Sequence, residues 1–229
     1  MYALALFMML APTDVSSEVD ARGQGFAAAE TLFQQGEYRD AGIRFASLYE
    51  SARAGTRPVD RLIVIRHAQC LAHEQSWQAA ADVASSAMHG EWNEQLRAEL
   101  HYVLGRCRTA EASYNAARER YLEVTRSSHA SATLKNRALW MIAYGDAATG
   151  DLTAAREMFE RIEKQSRDAN FAARALIEAG RCSERAGDWQ AAKATYQQVV
   201  AKYPAAISNG ETHRRLAVVE TRLSHSATR

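Results

Sequence analysis

Apolar and small residues in this chain fall at helical spacing, in paired stretches separated by short polar or glycine-bearing turns. The stretch Ala173–Pro204 shows the pattern most fully. Leu176, Ala179, Gly180 and Ser183 form one stripe, Ala192, Tyr196 and Val199 form another, and Ala186-Gly187-Asp188 lies between them. Stripes at this period predict two amphipathic helices back to back. An aromatic or Leu, an Ala three residues later and usually an aromatic four after that recur at Tyr38-Ala41-Phe45, Tyr114-Ala117-Tyr121, Leu152-Ala155-Phe159 and Trp189-Ala192-Tyr196. Trp77-Ala80 follows the same rule, with Ala84 in place of the second aromatic. The central alanines 41, 80, 117, 155 and 192 are separated by 39, 37, 38 and 37 residues. A nearly fixed step of this size predicts an array of helical hairpins.

The physical basis of the pattern is close packing. A small residue at each anchor lets antiparallel helices approach at the short end of the ~8–10 Å interaxial range, and the flanking aromatics fill the wedge between hairpins. Gly36, Gly150 and Gly187 precede second helices, where a left-handed residue ends a helix at little cost. A lone hairpin leaves its apolar stripe exposed, so neighbours stack. The expected units are 22–55, 58–90, 92–127, 132–166 and 168–205, with the polar stretch Ser127–Ser131 as a hinge. Residues 206–229 hold a final helix near Glu211–Ser224 whose Arg-rich face suits a solubilising cap.

The run Gly187-Asp188-Trp189-Gln190-Ala191-Ala192 with Tyr196, Gly180 twelve residues before the anchor and Pro204 twelve after it, resembles a tetratricopeptide repeat. Leu104-Gly105 repeats the small packing position, and Ala29, Ala68 and Ala143 stand in for it elsewhere. The resemblance covers residues 22–205, and its step exceeds the family's usual length of about 34. It implies an all-α, right-handed α-solenoid of five antiparallel hairpins plus a C-terminal capping helix. The longer step and the closing Lys202-Tyr203-Pro204 are similar to bacterial envelope proteins of the Tol-Pal-associated and outer-membrane-assembly lipoprotein groups, which implies a periplasmic or cell-envelope setting.

Composition narrows the classes. The chain has 229 residues, 47% hydrophobic and 24% charged, with a formal net charge of +1, so no global field draws it to nucleic acid or membrane. Tyr2–Ala11 is apolar but shorter than the ~20 residues a bilayer span needs. With no Lys or Arg before Arg22, residues 1–21 read either as a secretion signal with a clipped start, followed by a polar spacer at Pro12–Val19, or as an N-terminal cap segment. Cys70, Cys107 and Cys182 each stand ten residues before an anchor alanine. Equivalent sites in stacked hairpins are farther apart than the roughly 7 Å between Cα atoms that a disulfide tolerates. Three buried, reduced cysteines are therefore expected. His67, Cys70 and Glu74 share a helical stripe, but no second Cys/His cluster with zinc spacing follows. Phosphate loops, nucleophile elbows and HExxH motifs are absent from the sequence. Neither a catalytic centre nor a cofactor or metal is expected.

What remains is a surface. The resemblance implies that first helices line the concave side. Register from each anchor then gives Phe26, Glu30 and Gln34; Leu62, Ile65, Gln69 and His73; and Glu99, Tyr102 and Arg106. The last two units give Arg137, Trp140 and Tyr144, then Arg174, Ile177, Arg181 and Arg185. Tyr102, Arg106, Arg137, Trp140, Tyr144, Arg174, Arg181 and Arg185 make an Arg and aromatic ladder suited to a protein or peptide segment with acidic and apolar groups. The competing reading packs Trp140 and Tyr144 in the core and pairs the arginines with Glu99, Glu178 and Glu184. Two other functions stay open. One is single-stranded nucleic-acid binding, which the near-neutral charge disfavours. The other is self-association through an apolar first half around Leu62 and Ile65.

Overall fold

The computed structural model describes residues 15–53, 57–90, 93–206 and 209–227. These residues form eleven α-helices and, among them, no strand. The chain divides between His89 and Gly90 into two compact units, while Ser127–Ser131 lies within the second as a short turn whose Ala130 is buried.

The first unit contains α1 (Val15–Gln35), α2 (Tyr38–Ala52), α3 (Pro58–His73) and α4 (Trp77–Met88). Helix α1 begins at Val15, so Val15–Val19, read from sequence as part of a polar spacer, is helical; the signal-or-cap reading otherwise falls on residues 1–14, outside the described ones. Successive helices pack on one another, and α1 also meets α3. Ala29, Ala41, Phe45, Ile63 and Cys70 form the core here.

The second unit contains α5 (Glu94–Ala110), α6 (Tyr114–Arg126), α7 (Ala132–Thr149), α8 (Leu152–Gln165), α9 (Ala169–Arg185), α10 (Trp189–Lys202) and α11 (Asn209–Ala227). Helices adjacent in sequence are again neighbours in space, and α5 also packs on α7. Side-chain oxygens of Asn93, Ser131 and Asp168 accept from backbone N–H groups at the starts of α5, α7 and α9, and Asp151 and Asp188 do so for α8 and α10. Each satisfies a donor that the helix cannot.

All five anchor alanines are buried, none more than 2% exposed. Sixteen residues after the small position of each first helix comes its counterpart on the second: Ala29 and Phe45, Ala68 and Ala84, Gly105 and Tyr121, Ala143 and Phe159, Gly180 and Tyr196; in the two glycine cases the later ring covers the earlier residue. Glycine occurs where the cover is tyrosine. A Cβ on Gly105 or Gly180 would lie 2.5 Å from the Tyr121 or Tyr196 ring, closer than atoms pack. The three cysteines are free and buried, as expected. Burial pushes the Cys70 thiol up to about 12 and those of Cys107 and Cys182 up to about 11, so all stay protonated and unreactive.

Candidate functional site

In the second unit, α5, α7 and α9 are the first helices of their hairpins, and α11 follows α10 in the position of another. All eight ladder residues lie on the first three. They fall into three groups rather than one continuous row.

At one end, Tyr102 is half-buried against Tyr121, with ring centroids 5.7 Å apart. Burial raises its pKa, which the nearby Arg106 and Arg137 partly oppose. In the middle, Trp140 packs edge-on to Phe159 at 5.1 Å and against Phe171 at 5.3 Å. The Arg174 guanidinium lies over its ring, 5.5 Å from the centroid. Trp140 thus belongs to the margin of the core on one side and to the cationic surface on the other. Next comes Tyr144, 49% exposed, with its ring 6.4 Å from that of Tyr114. It borders a cavity of about 550 Å³ together with Arg181, Arg185, Glu184 and Arg215.

The arginines divide sharply. Arg185 donates to the Ala147 carbonyl at 2.7 Å, where the negative end of α7 favours a cation. Arg181 pairs with Glu178 at 2.5 Å and also with Glu211 of α11. Glu184 accepts from Arg215 at 3.3 Å and from the Tyr196 hydroxyl, so it is spent on residues outside the ladder. Burial alone would raise the Glu211 pKa, but hydrogen bonds from Arg215 and Arg181 and their charges hold it below the usual carboxylate range. Arg137 and Arg174, by contrast, are exposed and have no carboxylate partner among the described residues.

Sequence reasoning missed α11 as a wall. Its Val219 is fully buried, and Leu216 and Leu223 pack on the same core, as a cap requires. Its other side, with Glu211, Arg214 and Val218, lines clefts against α9. The signal was available: one repeat step of 37 from Arg174, Ile177 and Arg181 lands on Glu211, Arg214 and Val218.

The corresponding face of the first unit is different. Arg66 donates to Glu30 at 2.8 Å and to Gln69 at 2.8 Å, and lies 4.7 Å over Phe33. His73 stacks on Tyr38 at 3.7 Å. Ile65 is wholly buried, so it cannot be the self-associating surface expected of it, nor a groove contact; in the second unit Ile177 is 3% exposed for the same reason. Ile65 and Ile177 both sit in the core, and Ile177 also borders a cleft against α11. Among the described residues no group of three or more His, Cys, Asp or Glu is arranged to hold a metal, and no helix is long and apolar enough to cross a membrane.

Hairpins of this geometry, a small residue under an aromatic at a regular step, have relatives. Residues 174–206 match the tetratricopeptide repeat family. That segment spans most of α9 and all of α10. Solved structures with the same fold cover far more of the chain. The nearly identical tetratricopeptide-like repeats of a kinesin light chain from Podosopora anserina superpose with a TM-score of 0.63 at 15% identity, over 78% of this chain and 92% of that one. The apo quorum sensor NprR of B. thuringiensis gives 0.70 at 15% identity, over 89% of this chain but only 60% of its own length. YrrB, a tetratricopeptide-repeat protein with an unusual peptide-binding site, gives 0.56 at 16% identity, over 83% and 90% of the two chains. The fold is therefore that of tetratricopeptide-repeat solenoids. No curated protein matches the sequence.

Proposed function

We propose that the protein is a non-catalytic interaction scaffold whose first-helix face in the second unit binds a protein segment bearing acidic and apolar groups. The observation that carries this reading is that Arg137 and Arg174, at equivalent places on α7 and α9, are exposed and have no carboxylate partner among the described residues, while α7 also carries the half-exposed Tyr144. Guanidinium forks match carboxylates in geometry, and an exposed aromatic ring on the same helix as Arg137 supplies an apolar anchor with little conformational entropy to lose. YrrB has this fold and a peptide-binding site, which supports the same use here.

The test is capture of partners from the source organism by wild type and by an Arg137→Glu/Arg174→Glu double variant. A partner held by the first and lost by the second, with thermal melting unchanged, is the expected result. A partner retained equally by both would remove the assignment. Trp140 is the poorer probe. Its contacts with Phe159 and Phe171 mean that truncation also costs stability, about 2 kcal/mol or more for a large aromatic at a core margin.

The setting proposed is the bacterial cell envelope. Lys202 and Tyr203 are accounted for by their bonds to Glu163 of α8, so the apolar Tyr2–Ala11 segment is what supports this. Fractionation of source cells that places the protein with cytosolic markers would count against it.

A further inference from the structure

We propose that the cleft between α9 and α11 is a subsite for an acidic side chain of the bound segment, held by Arg214. The inference rests on the groove reading above and extends it to a helix that the sequence presents as a mere cap.

The cleft has a volume of about 650 Å³. Arg174 and Glu178 stand on its α9 side, Glu211 and Arg214 on its α11 side, and Ile177 and Gly210 also line it. Its two glutamates are already engaged: Glu178 and Glu211 both accept from Arg181, and Glu211 also accepts from Arg215 at 3.2 Å. That leaves Arg174 and Arg214 as exposed cations lining the cleft with no carboxylate partner among the described residues. The cleft is therefore locally cationic although the whole chain is nearly neutral.

Glu211 shows what the two walls can do. One of its oxygens takes hydrogen bonds from Arg181 of α9 and Arg215 of α11, so side chains of the two helices meet on a single carboxylate. A second carboxylate, entering from solvent, would find Arg214 next to that pair and the first turn of α11 bordering the cleft at Gly210. The positive end of the helix dipole adds to the attraction there. Val218, 57% exposed, lines the adjoining cleft with Arg214 and supplies apolar contact.

The test uses the full chain and a displayed library of short random peptides. The best-enriched peptide is synthesised as selected and with its acidic residues replaced by their amides. Both forms are titrated by fluorescence anisotropy against wild type, Arg214→Gln, Arg214→Glu and Arg137→Glu. Enriched peptides should carry an acidic residue. Arg214→Gln should weaken the acidic form about tenfold, the scale of a hydrogen bond to a charged group, and leave the amide form nearly unchanged. The melting temperature should hold, because Arg214 is exposed. If both Arg214 variants bind the acidic peptide as wild type does while Arg137→Glu weakens it, the subsite is wrong and the groove stands. If no peptide is enriched, or binding ignores Arg137 and Arg214 alike, the groove reading fails and the subsite fails with it.

Discussion

Gly180 and Tyr196 show how closely one residue fixes another here. The Tyr196 hydroxyl donates to Glu184, one turn beyond Gly180, and the Tyr121 hydroxyl lies 3.1 Å from Thr109 Oγ1, one turn beyond Gly105. To reach those partners each ring must lie across the first helix, where only a hydrogen leaves room for it. Phe45 and Phe159 have no hydroxyl to place, and alanine is tolerated beneath them. Gly180→Ala should therefore lower stability by about 1–3 kcal/mol in urea unfolding, the usual cost of overpacking. The same change should cost less in a Tyr196→Phe background, where the ring is free to withdraw. An equal cost in both would mean that the hydroxyl does not set the spacing. The hairpin turns carry a second residue-level rule. Gly36, Gly150 and Gly187 have positive φ as their sequence positions imply, but so do Gln75 at 62° and Ala112 at 56°. All five lie five residues before an anchor alanine. Glycine made three of these sites legible, and the repeat step alone would have found the others. Ala112→Gly should raise stability by about 0.5–1 kcal/mol, as relief of left-handed strain exceeds the added freedom of the unfolded chain.

Among the elements, five helix starts of the second unit are legible in the sequence. The reason is physical: Asn93, Ser131, Asp151, Asp168 and Asp188 cap locally, and local bonds are visible in local sequence. Long-range bonds are not. Glu163, 4% exposed on α8, accepts from Lys202 Nζ at 2.5 Å and from the Tyr203 hydroxyl at 2.6 Å, tying α8 to the end of α10 across about 40 residues. Nothing in the local pattern marks that glutamate. Burial would raise its pKa, but the two donors and the lysine charge lower it overall. A carboxyl depressed in the folded state contributes stability above its unfolded pKa of ~4.3 and loses that contribution as pH falls through the folded value. Wild type should thus lose melting temperature between neutral pH and the acid side of that range. Glu163→Gln should start lower at neutral pH and fall less steeply, the difference between the two isolating this group from Glu30 and Glu211, whose carboxyls, despite burial, are also held low by arginine partners. Parallel pH curves would exclude Glu163 as a contributor.

For the molecule as a whole, the repeat step gave the architecture and the identity of the first helices, because identical packing solutions leave identical residues behind. The proposed binding face was only partly legible. Arg137 and Arg174 have no carboxylate partner among the described residues, although Arg174 lies over the Trp140 ring, whereas Arg181 is taken up by Glu178 and Glu211 and Arg185 by a backbone carbonyl. Whether an arginine has a partner depends on what the next hairpin presents, and α11 supplied Glu211 from beyond the repeats used to build the ladder. In the first unit the equivalent face is closed by Arg66, Glu30 and Gln69, which directs attention to the second. The measurement that tests this account most directly is amide chemical-shift mapping of the second unit within the full chain, with and without the segment of a captured partner. The account predicts that perturbed residues cluster on α7, α9 and α11, around Arg137, Tyr144, Arg174 and Arg214. Perturbations confined to α6, α8 and α10 would place the partner on the opposite face and contradict it.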